Sequence, residues 1–298
     1  MSCRDLESAL DFYTGKPGFR LDLIYPADAP RVAELSGYGI RVRLEQDEQF
    51  QTSRDSEWCT GRAGMQYRDL IPDRWGGRFI ASHIRIPDGG PVPDYVHHHD
   101  VDFQMIYCYR GWVRVVYEDQ GPPFVLQTGD CVLQPPHIRH RVLECSDHME
   151  VVEVSSPAEH ETQVDHDMEL PTAKVDANRS FGDQRFVRHQ SSYATWFPGP
   201  YEGFEARDTG IGDATSGLAS VLVLRPTGDV RSVAIGSGAK FVFTFVLQGS
   251  LTLQHDNASP HKYSASDSFV ISAGLPATIV ETSDDLELLH VVLNQGSA

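Results

Sequence analysis

The sequence predicts a mainly β protein in which two tandem barrels follow a small α+β segment. From residue 64 onward, short runs of β-branched and aromatic residues alternate with Gly, Pro and Asp, a pattern typical of barrels and sandwiches. The chain also repeats itself, because residues 67–87 align without a gap on 206–226, and residues 129–150 align on 266–287. One barrel is therefore expected for each copy, over residues 64–156 and 201–298.

Residues 1–46 are predicted to form a separate α+β unit. Apolar residues at helical spacing indicate a helix that ends near Pro17-Gly18, and strands are expected over 19–25 and 39–44, with a short helix over 31–35 between them. The run from Arg4 to Arg20 resembles the glyoxalase and extradiol-dioxygenase (vicinal oxygen chelate) superfamily, which implies a βαβββ module. The segment contains no histidine and is followed by no second module, so we expect a structural or docking role for it.

Two stretches without an apolar period connect these units. Residues 47–63 are polar and are predicted to be a linker. Residues 157–200 form a long connection between the barrels, rich in charged residues, His and Pro, and connections of this length are usually functional or packed across a neighbour. Its histidines, His160, His166 and His189, are expected to be solvated loop side chains.

The histidines of the first barrel suggest a metal site. Residues i and i+2 of a strand face the same side, so His97 and His99 should point inward together while His98 points away. If the run that ends in His140 lies on a facing strand, a third imidazole reaches the same point. Clustered imidazoles are unfavourable unless they share a partner for their lone pairs, and a divalent metal is the usual one.

The spacing of these residues resembles the two-part signature of the cupin superfamily. The matching positions are His97, His99, Gln104 and Gly111 in the first part, and Gly129, Pro135 and His140 in the second. The resemblance implies a double-stranded β-helix barrel with His97, His99, Gln104 and His140 as metal ligands. Gln104 stands where the family usually has Glu, so the ligand set is neutral, and a bound dication should be a stronger Lewis acid.

The second copy serves as an internal control. The counterparts of the four predicted ligands are Ile235, Ser237, Val242 and Ala277, all apolar or small. The barrel pattern survives there without histidines, so the histidines of the first copy are expected to serve chemistry. The second barrel is predicted to be a degenerate, metal-free partner.

Further candidates for the site are less specific. In the ungapped alignment His83 and Arg85 fall on Leu222 and Leu224, which marks them as special to the first copy. If their strand face is inward, Arg85 is placed to pair with a substrate carboxylate; if it is outward, both side chains are solvated. Tyr95 is a candidate for the mouth of the barrel. Whether His137, Asp100 or Asp102 joins the site stays open, with a solvated turn as the alternative.

Composition narrows the partners and the compartment. A formal net charge of −17 argues against nucleic acid or an anionic membrane as the main partner. No apolar run is long enough to span a bilayer, and the N-terminus lacks the apolar core of a signal peptide. Five widely spaced cysteines without a CxxC favour a reducing cytoplasm over a disulfide framework.

The sequence thus predicts a metal-dependent bicupin enzyme acting on a small organic acid or ring-derived metabolite. Each chain would hold one divalent ion (iron, manganese, zinc or nickel), and the reaction would be that of a dioxygenase or of a Lewis-acid isomerase or lyase. Fold alone does not choose between these, because the superfamily hosts all of them. The alternative is a non-catalytic bicupin that binds or senses a small ligand. A homodimer is also expected.

Overall fold

The computed structural model describes residues 1–3, 5–46, 58–71, 74–228, 230, 232–236, 241–255, 259–272, 275 and 277–294. They fall into two compact units, Met1–Asp130 with Gln134–Gly182, and Cys131–Leu133 with Asp183–Ala298. Most of the predicted linker, residues 47–57, lies outside the described residues. None of the helices in the described part of the chain is long and apolar enough to cross a bilayer.

The N-terminal segment has the element order βαβββ. Its elements are β1 (Ser2–Cys3), α1 (Leu6–Gly15), β2 (Arg20–Tyr25), β3 (Val32–Gly37) and β4 (Ile40–Gln46), with strand order β1-β4-β3-β2. Helix α1 begins at Asp5, whose carboxylate accepts hydrogen bonds from the backbone N–H groups of Glu7 and Ser8. Leu6 of this helix packs against Leu35 and Leu44 of the sheet.

The prediction of a short helix over 31–35 is wrong, because residues 32–35 lie in strand β3. Its Ala33 and Leu35 are buried on one face at the spacing of two that a strand produces. The strand pairs with β2 on one side and with β4 on the other. Pairing on both sides satisfies the backbone along its length, which outweighs the local helical preference of so short a run.

The regular elements described between residues 58 and 182 are almost all strands. These are β5 (Cys59–Thr60), β6 (Gln66–Asp69), β7 (Ile80–Ile86), β8 (Gly90–Pro91), β9 (His97–His99), β10 (Phe103–Arg110), β11 (Trp112–Tyr117), β12 (Phe124–Gln127), β13 (Cys131–Leu133), β14 (His140–Cys145), β15 (Met149–Ser156), β16 (Thr162–Val164) and β17 (Ser180–Phe181), with a helical turn α2 (Arg74–Gly77) and a 3-10 turn (Arg62–Gly64). One sheet contains the order β10-β15-β7-β6-β5, and the other contains β16-β9-β14-β11-β12.

The second of these sheets continues directly into the N-terminal segment. Strand β16 pairs with β2 on one edge and with β9 on the other, so Thr162 lies opposite both Ile24 and His99. The stretch predicted as a long connection between the barrels therefore supplies the strand that joins the N-terminal sheet to the histidine strand. The N-terminal segment and the first barrel belong to one compact unit.

The second barrel repeats this plan. The strands from residue 183 onward are β18 (Gln184–Arg185), β19 (Val187–His189), β20 (Phe197–Pro198), β21 (Phe204–Asp208), β22 (Ala219–Pro226), β23 (Val233–Ile235), β24 (Phe241–Gln248), β25 (Ser250–His255), β26 (His261–Ser264), β27 (Ser268–Ser272), β28 (Ala277–Thr282) and β29 (Glu287–Leu293), with helix α3 (Ile211–Ala214) and a 3-10 turn (Ser191–Tyr193). The sheet β20-β21-β22-β29-β24-β27 and the sheet β23-β28-β25-β26 enclose an apolar core.

Candidate metal centre

Three histidines of the first barrel converge at one buried point. His97 and His99 come from β9, and His140 lies directly opposite His97 on the antiparallel strand β14. One ligand nitrogen from each ring lies within 4.8 Å of the other two. The residues are 0%, 7% and 6% exposed, respectively. Side chains alternate between the two faces of a strand, so His97 and His99 both point inward. The pairing of β9 with β14 brings His140 to the same place.

Hydrogen bonds on the far side of the rings fix which nitrogen is available. His97 Nδ1 donates to the backbone oxygen of Tyr95 (2.8 Å), and His140 Nδ1 donates to that of Ile138 (3.0 Å). A carbonyl oxygen only accepts, so both rings carry their proton on Nδ1 and keep a lone pair on Nε2. His99 Nδ1 is hydrogen-bonded to the Thr162 hydroxyl (2.9 Å).

The donor set suits a divalent transition metal. Three buried neutral imidazoles, each oriented by an oxygen behind it, form the arrangement typical of metal-binding histidines. His98, the middle residue of the run, faces the other way, and its ring lies 5.6 Å from that of the exposed His137. The cluster therefore contains His97 and His99, which share one face of the strand, and does not contain His98, which lies on the other face.

Gln104, the fourth predicted ligand, is buried on β10. It lies two residues from Ile106, which lines the cavity beside the histidines, and so faces the same side. Within the described part of the chain its amide Nε2 is buried and makes no hydrogen bond. A polar group left in this state is unfavourable unless a further partner binds beside it. The role of Gln104 as a ligand stays a prediction.

A second glutamine, Gln134, contacts the cluster and was not predicted. Its backbone N–H donates to the Gln104 carbonyl (2.9 Å), and its side-chain Nε2 donates to His140 Nε2 (2.8 Å). The Gln134 amide therefore holds the lone pair that a metal ion would use. A signal existed in the sequence, since Gln134 immediately precedes Pro135 of the second signature part and corresponds to the apolar Ile271.

The second barrel replaces the cluster with apolar packing. Ile235 and Ala277 are cross-strand partners there, as His97 and His140 are in the first barrel. Both are buried in the core together with Val242, the counterpart of Gln104. Ser237, the counterpart of His99, lies outside the described residues. The fold therefore forms without histidines at these positions.

His83 and Arg85 are not brought to the cavity. Ile80, Ser82 and Ile84 of β7 line it, so the residues between and beyond them face the opposite side. His83 Nε2 lies 2.6 Å from Glu150 Oε2, and its Nδ1 lies 3.0 Å from an Arg68 guanidinium nitrogen. Burial lowers the pKa of His83 to about 4, against the opposing effect of Glu150.

Arg85 lies on the same outward face. It donates to Gln66 Oε1 (2.7 Å), and its guanidinium lies 3.9 Å from the centre of the Trp58 ring. Neither His83 nor Arg85 is a solvated side chain, and neither is placed to meet a substrate in the cavity.

The strand register explains why these two residues looked special. Arg85 pairs with Gln66 across β6 and β7, and Arg225 pairs with Glu205 in the second barrel. The Arg225 guanidinium also lies 3.9 Å from a tryptophan ring, that of Trp196. The true counterpart of Arg85 is therefore Arg225. The ungapped alignment is displaced by one residue in this strand, and a displacement of one exchanges the two faces.

The remaining candidates lie around the cluster. The Tyr95 ring is 5.8 Å from the His97 ring and lines a groove beside α1, away from the cavity. His137 Nε2 lies 3.6 Å from Asp100 Oδ1 in an exposed pair, and Asp102 is exposed. By contrast His160, expected to be a solvated loop residue, lines the cavity, and its ring lies 5.5 Å from that of His99.

A cavity of about 90 Å³ adjoins the cluster. His99, His140 and Gln134 form its polar end, and its walls are mainly aliphatic side chains from both sheets, with Asp28, Tyr67, Ser82, Tyr117 and Glu153 among them. The loop between β2 and β3 reaches it through Pro26, Ala27 and Asp28. The N-terminal segment, expected to be structural or to dock a partner, thus contributes part of the cavity wall.

Residues 82–155, which include the three clustered histidines, match the family of cupin domains. The first barrel therefore contains a cupin domain. Among solved structures, a tryptophan-to-phenylalanine variant of Bacillus subtilis oxalate decarboxylase is 12% identical, with 82% of this chain and 76% of that chain covered and a TM-score of 0.58. The oxalate decarboxylase of Lactobacillus farciminis, in a formate complex, is 14% identical over 80% of this chain and 84% of its own (TM-score 0.57).

A glyoxylate-induced protein from Pseudomonas aeruginosa is 13% identical, with 81% and 84% of the two chains covered and a TM-score of 0.57. No curated protein matches this chain in sequence. Similarity at this level of identity shows the fold, which is that of a bicupin with two tandem barrels. The resemblance of the N-terminal segment to vicinal oxygen chelate modules stays a prediction.

Proposed function

We propose that the first barrel is the active site of a metal-dependent enzyme that acts on a small molecule held in the adjoining cavity. His97, His99 and His140 would hold one divalent ion, with Gln104 as the fourth ligand. The observation that carries the proposal is the convergence of three buried imidazoles at the polar end of a cavity. Iron, manganese, zinc and nickel all suit imidazole ligands.

The protein's own groups would set up the chemistry. When bound, the ion supplies a Lewis acid and, if it is iron or manganese, a redox centre. The carbonyl groups of Tyr95 and Ile138 keep the protons of His97 and His140 on Nδ1, away from the cluster. The neutral ligands leave the positive charge of the ion to attract an anionic substrate oxygen, and the aliphatic walls keep bulk water from the reacting group.

Two reaction classes fit this site. One is an oxidative reaction of the dioxygenase type, and the other is an isomerase or lyase reaction that needs only the Lewis acid. The neighbouring folds named as oxalate decarboxylases are consistent with the second class. Oxygen uptake by the iron-loaded protein with keto acids and diketones separates the classes. Uptake that depends on substrate supports the dioxygenase, and turnover without uptake supports the isomerase or lyase. Binding without any turnover supports a sensor.

The metal site is tested with His140→Ala, for which we expect loss of bound metal with the fold retained. The control is His98→Ala, which removes a histidine from the same run but from the opposite face of β9. Metal content is measured by elemental analysis after purification, and the fold by circular dichroism. Unchanged metal content in His140→Ala would reject the ligand set, and equal losses in both variants would show that the effect is not specific to the cluster.

A further inference from the structure

We infer that the cavity takes a short acyclic organic acid with a single carboxylate and an aliphatic tail, of the kind represented by a monocarboxylic 2-oxo acid. The inference rests on the proposed function and specifies its substrate class. The anionic head would lie at the histidine cluster and the tail against the aliphatic walls. Dicarboxylates whose second carboxylate lies at the far end of the chain, such as succinate, would be excluded.

The charges around the cavity favour a ligand with a single carboxylate. None of the described residues that line it is Lys or Arg, whereas the carboxylates of Asp28 and Glu153 do line it. The Arg74 guanidinium, which contacts Asp28, does not line the cavity and is shared between Asp28 and Asp69. A ligand with one carboxylate can place it against a bound cation. A second carboxylate at the far end of the chain, too distant to chelate the same ion, would be desolvated with no positive partner and two like charges in the same walls.

The side chains of the cavity walls favour a ligand with an aliphatic tail. Aliphatic side chains face the cavity from both sheets, among them Ile80, Ile84, Ile106, Val113, Val115 and Val151. They outnumber the polar side chains of the wall, such as Tyr67, Ser82 and Tyr117. An alkyl tail gains from leaving water against the aliphatic positions.

The size of the cavity favours a short acyclic ligand. Its volume is about 90 Å³. An engineered apolar cavity that binds benzene measures about 150 Å³, so this one is too small for an aromatic ring. An acyclic chain of a few carbon atoms is the ligand that its volume and walls favour. A ring-derived metabolite, one of the substrates expected from the sequence, does not fit on this ground.

The test compares two ligands with the same number of non-hydrogen atoms, 2-oxopentanoate and succinate. Each is titrated by calorimetry into the metal-loaded protein, after its metal content has been measured. We expect 2-oxopentanoate to bind at least about tenfold more tightly than succinate, and its binding to disappear in His140→Ala. This readout is independent of turnover.

A variant tests the position of the tail. Ile84→Ala enlarges the cavity, so the preference should shift towards 2-oxohexanoate over 2-oxobutanoate by about tenfold, which is the scale of one or two buried methylene groups. Ile86→Ala is the matched control, because Ile86 lies on the same face of the same strand but does not line the cavity. It should leave the preference unchanged.

The outcomes separate the two proposals. Protein that binds no metal would overturn the proposed function and this inference with it. Metal-loaded protein that prefers succinate, binds neither acid, or keeps its chain-length preference in Ile84→Ala would overturn the inference alone.

Discussion

Each clustered imidazole is held from behind by an oxygen, and for His99 that oxygen is the hydroxyl of Thr162. Thr162 is buried on β16, a strand from the connection after the first barrel. Such a group fixes the orientation of a metal-binding ring and sets which nitrogen carries the proton. The connection therefore supports the metal centre as well as linking the barrels.

Thr162→Val should weaken metal binding by about 10- to 100-fold, because the His99 ring loses the partner that orients it while the side-chain shape is kept. Metal affinity is measured by competition with a chromogenic chelator. Thr172→Val is the control, since Thr172 lies in the same connection and its hydroxyl is hydrogen-bonded to backbone groups at Asp119 and Lys174. Equal affinities of wild type and Thr162→Val would contradict the role assigned to this hydroxyl.

At the residue scale, the sequence predicts what depends on local spacing and misses what depends on pairing between distant segments. His97 and His99 are separated by one residue, so strand alternation alone places them together. Thr162 and His160 reach the site only because β16 and the turn before it are folded against the histidine strands, and no spacing rule in the chain links these segments. Gln134 differs, because its position immediately before Pro135 was a local signal.

At the scale of the elements, the errors come from short stretches whose period is ambiguous. Residues 31–35 are compatible with a turn of helix and with a strand, and pairing on both sides decides for β3. In β7 the repeat alignment was displaced by one residue. This displacement paired His83 and Arg85 with residues of the second barrel that face the other side of the sheet. The barrels themselves were predictable, because many short strand-like runs, separated by turn residues at regular spacing, all indicate the same fold class.

The loop between β2 and β3 is attached to the barrel by buried charges. Arg74, 6% exposed, contacts the carboxylate of Asp28 in this loop and donates from Nε to Asp69 Oδ2 (2.9 Å). Arg31 forms a second ion pair with Glu159 (2.8 Å) at the other end of the loop, and Tyr25 donates to the same carboxylate (2.8 Å). These contacts hold Asp28 at the cavity wall.

Arg74→Met should destabilise the protein by about 3 kcal/mol, because two largely buried carboxylates lose their shared positive partner. Urea unfolding followed by tryptophan fluorescence gives the free energy. Arg43→Met is the control, since Arg43 forms an exposed ion pair with Glu34 and Glu45 and its loss should change stability far less. Similar losses in both variants would show that burial does not decide the strength of the Arg74 contacts.

At the scale of the whole molecule, the two barrels share a register but differ in what fills them. In the first barrel Glu153 lies opposite Ile106 and Ser82, and it lines the cavity. In the second barrel His290 takes the corresponding place, opposite Thr244 and Leu222. The same fold thus encloses a cavity with polar groups in one copy, and in the other an apolar core around one buried histidine.

His290 is fully satisfied as a neutral ring, and this makes the second barrel sensitive to acid. Its Nε2 is hydrogen-bonded to the Tyr201 hydroxyl and its Nδ1 to the Thr244 hydroxyl, both at 3.0 Å. Burial lowers its pKa from 6.5 to about 4. Since the unfolded chain takes up the proton first, the stabilising contribution is complete above pH 6.5 and is lost as the pH falls towards 4.

His290→Gln should therefore flatten the dependence of stability on pH, because an amide can bond both hydroxyls but does not titrate. Between pH 6.5 and 4 the wild type should lose up to about 1.4 kcal/mol per pH unit more than the variant, the effect of one proton. Urea midpoints at a series of pH values measure this difference. His261→Gln alters an exposed histidine on β26 and should leave the wild-type slope unchanged. Parallel curves for wild type and His290→Gln would mean that the buried ring accepts its proton in the folded state as readily as in the unfolded one.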